Sequence, residues 1–398
     1  MVREAHEDLD QVLRGVVERE GGVPGVVAAV TDRRGDLYVG AEGEGELGSG
    51  RGMTEDTVFC LFSCTKAITG VAVMQLVEEG RLDLDDPVKE YLPEISRIEV
   101  LEGFDGEGEP ITRPARSDVT VRQLMLHTAG FGYEFFNHDL LEYYRKREVP
   151  SVVSGREDAL YSVLLFDPGE RWEYGINMDW AGKVVEAVRG RRLGEVFEER
   201  IFEPLGMEGT AITMSRGMRE RRATVHQRQE DGRLRPMPEF ELPQDPEQHM
   251  GGHALYGTVG DYTRFIRMML NDGEGEDGRV LAPETVRYMS RNGLGRMKIH
   301  ALPGAVPSLS NDAEFFPGMP KSWGYTFMIN DEDAPTGRPA GSLGWAGLAN
   351  LYYWIDRKNG IGGFWATQLF PFADPASFGA YLEFEKKTYE HLDDLLGG

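Results

Sequence analysis

Stretches with the period and composition of β-strands lie near the two ends of this chain, and helical patterns fill its middle, a distribution that leaves few folds open. Residues 26–31 and 37–40 flank Asp32-Arg33-Arg34-Gly35-Asp36, which reads as strand, tight turn, strand. An apolar run follows at 57–62. Strand patterns then return at 323–329, 348–355 and 361–370, the last two joined through Asn359-Gly360, a strong hairpin signal. Amphipathic helical patterns open the chain at 3–20 and close it at about 376–392. The spacing therefore predicts an α/β fold with one antiparallel sheet completed by both ends of the chain. Residues 1–82 and 251–398 are expected to form that sheet domain, and 83–250 a mainly helical domain inserted between them.

Composition narrows the function. The 398 residues carry 43 Lys and Arg against 67 Asp and Glu, a net charge of −24. A surface this acidic repels phosphate backbones and anionic lipid, which excludes a nucleic-acid or membrane-surface partner. The most apolar stretches, 67–77 and 161–166, fall short of the ~20 residues that span a bilayer. The acidic N-terminus lacks the basic and apolar regions of a secretion signal, so a cytoplasmic protein is expected. Cys60 and Cys64 sit four residues apart and cannot staple distant segments, which excludes a disulfide-built scaffold.

The residues able to do chemistry begin with Ser63-Cys64-Thr65-Lys66, where an apolar run hands over to a helical pattern. Residues three apart share a helix face, so the Ser63 hydroxyl and the Lys66 amine can meet. A helix start also favours a developing oxyanion. Burial among Phe59, Leu61, Phe62 and Ile68 would lower the lysine's pKa and free it to take a proton. A capping serine followed by a surface lysine gives the same spacing. Tyr174, in Trp172-Glu173-Tyr174-Gly175-Ile176-Asn177, could relay that proton, though by itself it also fits an ordinary half-buried tyrosine; Asn177 reads as the N-cap of the next helix. The strand segment Gly344-Trp345-Ala346-Gly347-Leu348 has small residues that let its backbone approach a ligand. His127 reads as a turn or cap residue and Cys64 as a small buried thiol. His249 and His253 are separated by Gly251-Gly252, which argues against a helical two-histidine metal site. No cofactor or metal is expected. Residues 301–321, rich in Pro and Gly, could be a loop over a site or a plain surface loop.

Ser63 followed by Lys66, then Tyr174, then Trp345-Ala346-Gly347 is an order that resembles the serine β-lactamase and penicillin-binding-protein superfamily. Within it the chain looks most like the family VIII carboxylesterases, relatives of the class C β-lactamases. Supporting matches are Leu126-His127-Thr128-Ala129-Gly130, Glu203-Pro204-Leu205-Gly206-Met207, Gly251-Gly252-His253-Ala254-Leu255 with Asp261-Tyr262, and Thr367-Gln368-Leu369. The resemblance implies a class C β-lactamase-like fold and an acyl-enzyme on Ser63, with Lys66 as base and Tyr174 assisting. It also implies an oxyanion hole from the N–H groups of Ser63 and Leu348, with Trp345, Ala346 and Gly347 against the substrate. Two departures stand out: Asn177 lies one residue too far for the Tyr-x-Asn pattern, and the strand lacks the lysine of Lys-Thr-Gly that holds a lactam carboxylate. The expected function is hydrolysis of short-chain or small neutral carboxylic esters. The alternatives are acyl transfer or weak β-lactam or peptide hydrolysis from the same intermediate, and, more remotely, a non-catalytic ligand-binding homologue. The expected partner is a small-molecule ester, and oligomeric state is left open.

Overall fold

The computed structural model describes residues 2–397. Its centre is a seven-stranded antiparallel sheet ordered Asp36–Gly43, Gly25–Thr31, Ile361–Ala366, Leu351–Asp356, Leu343–Gly347, Met328–Asn330 and Lys321–Trp323. Both ends of the chain build it, because Gly25–Thr31 pairs directly with Ile361–Ala366. The central strands are buried on both faces, which is why they read as continuous apolar runs and not as alternating ones. Successive side chains still divide between two helical layers. Tyr352, Trp354 and Trp365 pack on Tyr381 and Phe384 of the helix Pro375–Glu390, which lies against the helix Val2–Glu18. On the opposite face Tyr353 and Phe364 meet Tyr262 of the helix Val259–Leu270. Gly363 faces Trp354 across the strands, and a Cβ there would stand 2.2 Å from the indole, so glycine gives the ring its seat.

Three expected boundaries are corrected. The run 323–329 is not one strand: Gly324 donates its amide to the Phe327 carbonyl, and the segment folds back so that Trp323 pairs with Met328. The run 361–370 breaks after Ala366, and Leu369–Phe370 instead pairs in parallel with His226–Arg228. The strand expected at 348–355 starts at Leu351, because Asn350 turns the chain at φ 62°. The middle of the chain contains the helices Val121–Leu126, His138–Arg147 and Asn177–Arg189, and also two hairpins, Glu99–Phe104 with Pro110–Pro114 and His226–Arg228 with Leu234–Pro236. One apolar core runs from the sheet into most of these segments, and Leu101, Leu140, Tyr144 and Val163 form a second, smaller cluster. Among the described residues no helix is long and apolar enough to cross a membrane.

Candidate active site

The apolar run before Ser63 becomes the short strand Val58–Cys60, paired with Tyr256–Thr258. The side-chain amide of Gln368 clamps it, accepting from the Cys60 N–H at 2.9 Å and donating to its carbonyl at 3.1 Å. Phe62 then takes φ 43°, a left-handed conformation costly for a bulky residue, and a 3-10 turn carries Ser63 into the helix Thr65–Glu78. Every residue of that helix from Thr65 to Leu76 is buried.

Helical spacing therefore brings Lys66 into the interior, with 1% of its surface exposed. Its Nζ lies 3.0 Å from Ser63 Oγ, 2.8 Å from Tyr133 Oη and 2.9 Å from the Gly252 carbonyl. It also stands over the rings of Tyr133 and Tyr174, 5.0 and 4.7 Å from their centroids. Burial pushes the amine well below its ordinary pKa, partly offset by the buried Asp179 carboxylate. Burial in turn raises Asp179, against the pull of Lys66 and a hydrogen bond from the Gly252 amide. A neutral amine has two hydrogens for Tyr133 and Gly252 and a lone pair for the Ser63 hydroxyl, the arrangement a base requires.

Tyr174 joins the same cluster. Its hydroxyl accepts from the Trp345 indole at 2.9 Å. Burial raises its pKa, opposed by hydrogen bonds to Ser63 and Trp345. Two glycines bring the tyrosine-bearing loops together, since a Cβ on Gly175 would lie 2.3 Å from the Gly132 Cα. Gly347 does the same for the strand: a Cβ there would stand 2.5 Å from the Leu61 carbonyl, so the Leu343–Gly347 edge lies against the Ser63 turn and carries Leu348 to the site. Asn177 is not the expected N-cap. It is the first residue of its helix, with Ile176 at the cap, and its buried amide donates to the Phe131 carbonyl at 3.3 Å and lies 2.9 Å from His127 Nδ1. His127 ends the helix Val121–Leu126 in the left-handed region at φ 55°, a cap position as expected.

Ser63, Tyr174, Trp345, Ala346, Gly347 and Leu348 all line one pocket. Phe62, Phe135, Phe136, Leu302 and Phe372 close it, and about 460 Å³ of empty space lies within, its open mouth included. Leu302 places the segment 301–321 at the pocket, tied by an Ala305 N–H bond to the Phe135 carbonyl. Among the described residues no Lys or Arg lines it, which leaves an anionic substrate without a counter-charge there. Sequence reasoning missed Tyr133, the phenol closest to Lys66, although the flanking Gly130 and Gly132 marked a tight backbone approach. It also gave His253 no chemical role, citing it as part of a family match and declining it as a metal ligand, whereas the residue lines the pocket.

A family model described as Beta-lactamase matches residues 9–387. The chain belongs to that family. Within this family, it is 33% identical over 345 residues to monacolin J acid methylbutanoyltransferase of Aspergillus terreus, covering 84% of this chain and 82% of the relative. It is 31% identical over 371 residues to lovastatin esterase of Penicillium rubens, covering 87% and 89%. Among solved structures a simvastatin synthase variant from Aspergillus terreus superposes with a TM-score of 0.86 at 29% identity, over 100% of this chain and 99% of that one. The protein is thus a β-lactamase-like serine hydrolase or acyltransferase of the serine β-lactamase and penicillin-binding-protein superfamily.

Proposed function

We propose that the protein is a serine carboxylesterase of the family VIII type, acting on small neutral esters through an acyl-enzyme on Ser63. Neutral Lys66 takes the Ser63 proton as Oγ attacks the ester carbonyl, and the N–H groups of Ser63 and Leu348 receive the oxyanion. The Tyr174 phenol returns a proton to the departing alcohol, and Tyr133 holds the lysine in place. Trp345 fixes the Tyr174 hydroxyl, and the Trp345-Ala346-Gly347 strand borders the acyl group. The observation that carries this reading is the 3.0 Å contact between Ser63 and a fully buried lysine, at the end of an uncharged aromatic pocket.

A second reading, transfer of the acyl group to an alcohol, is favoured by the apolar lining, which limits water, and by the methylbutanoyltransferase relative. Both readings share the acyl-enzyme, so one experiment tests them together. A phosphonate should add to Ser63, as read by peptide mass spectrometry, and Ser63→Ala should lose p-nitrophenyl butyrate turnover by several orders of magnitude. Stoichiometric adduct at another residue would remove the mechanism. Nitrocefin hydrolysis should be slow beside ester turnover; efficient cleavage would reverse the preference for neutral substrates.

A further inference from the structure

Acyl-enzymes are resolved by whichever hydroxyl reaches the carbonyl carbon, and the pocket holds one polar side chain with no role in forming the intermediate. His253 lines the cavity beside Ser63 and Tyr174, with 6% of its surface exposed. Its backbone is adjacent to Gly252, whose carbonyl anchors Lys66 Nζ at 2.9 Å. Its Nδ1 is buried with no hydrogen-bond partner and lies 3.8 Å from Asp179 Oδ1. Asp179 is fully buried, and its Oδ2 also lacks a partner. Burial and the neighbouring Lys66 keep the imidazole uncharged, well below its ordinary pKa. The carboxylate beside Nδ1 favours the tautomer with the proton on that nitrogen, which leaves Nε2 as a hydrogen-bond acceptor.

We propose that His253 seats the deacylating water and so sets how the acyl-enzyme divides between hydrolysis and transfer to alcohols. The inference rests on the Ser63 acyl-enzyme proposed above. The chemistry turns on counting hydrogens. In hydrolysis the water oxygen bonds to the acyl carbon and the bond from that carbon to Ser63 Oγ breaks. One water proton passes through the Tyr174 and Lys66 cluster to Ser63 Oγ, and the other, donated to His253, stays on the new carboxylic acid. A monohydric alcohol has a single hydroxyl hydrogen. It must go to the base, so nothing remains for His253 to accept. The imidazole therefore stabilises attack by water and gives an alcohol no corresponding help.

The test compares wild type with His253→Ala and His253→Gln on p-nitrophenyl butyrate in the presence of 1-propanol, with butyric acid and propyl butyrate separated chromatographically. The ratio is set within each population of acyl-enzyme, so it does not depend on how much of a variant folds. In His253→Ala the ratio of ester to acid should rise about fivefold, the worth of one net hydrogen bond. In His253→Gln, whose side-chain oxygen can accept from water, the ratio should return toward wild type. An unchanged ratio in His253→Ala, or a Gln variant no different from Ala, overturns the role given to His253. Absence of phosphonate adduct on wild-type Ser63 during turnover overturns instead the acyl-enzyme reading beneath it.

Discussion

A lysine amine with three polar neighbours in a dry setting titrates differently from one in water, and the direction of that change governs the pH profile. Lys66 acts as a base only when deprotonated, so acylation should fall as pH drops through its lowered pKa and reach its plateau well below the ordinary 10.5. Stopped-flow p-nitrophenol release across pH measures this limb; an activity rising only near pH 10 would exclude Lys66 as the base. Tyr133 gives a sharper check, because its hydroxyl accepts from Nζ at 2.8 Å and stabilises the charged form. Tyr133→Phe should lower acylation about tenfold and move the acid limb to lower pH, whereas a purely structural effect would lower the rate with the limb in place. The Ser63 and Lys66 pairing was legible because three-residue spacing is a property of the helix itself. Tyr133 was not: its phenol arrives from a loop 67 residues away, and no local period announces a loop's destination.

Among the elements, the strand Leu343–Gly347 and the turn bearing Ser63 are held at a separation that only glycine allows. Gly347→Ala puts a methyl 2.5 Å from the Leu61 carbonyl and should cut p-nitrophenol release from p-nitrophenyl butyrate at least tenfold while circular dichroism stays native. Gly379 is the contrasting case. It lies exposed within the helix Pro375–Glu390 with nothing within 4 Å of its would-be Cβ, so Gly379→Ala should raise stability by about 0.5–1 kcal/mol in urea unfolding. The terminal helices and the 359–360 hairpin were readable from period and turn chemistry. The hairpin at 323–328 was not, because its reversal comes from Gly324 packing on the Met289 carbonyl, a contact made by a distant helix. The short strand at 369–370 was equally hidden, since the strand it pairs with, 226–228, lies far away in the sequence.

At the scale of the whole molecule, the two ends of the chain meet in the sheet, and the closing helix Pro375–Glu390 is further tied to the segment before it by a buried ion pair. Arg338 and Glu385, both essentially without exposure, pair at 2.9 and 3.1 Å, with Thr336 and Tyr381 also donating to the carboxylate. Glu385→Gln strands the guanidinium in the interior and should cost about 3–5 kcal/mol in chemical denaturation; a loss under 1 kcal/mol would show that the charge finds other solvation. That both termini share one sheet was legible from where the strand patterns fell, and the order of its seven strands was not, because pairing partners are set by packing across the whole length. The junction of Gly25–Thr31 with Ile361–Ala366 has a further cost in time. Roughly 330 residues must leave the ribosome between those two strands, about 20–70 s at ordinary rates of synthesis, during which a mostly apolar strand, paired on one side with Asp36–Gly43, has its other edge open. Holdase chaperones that cover this edge should therefore raise the yield of folded protein, and expression yield should respond to translation speed more than to the stability of the finished chain.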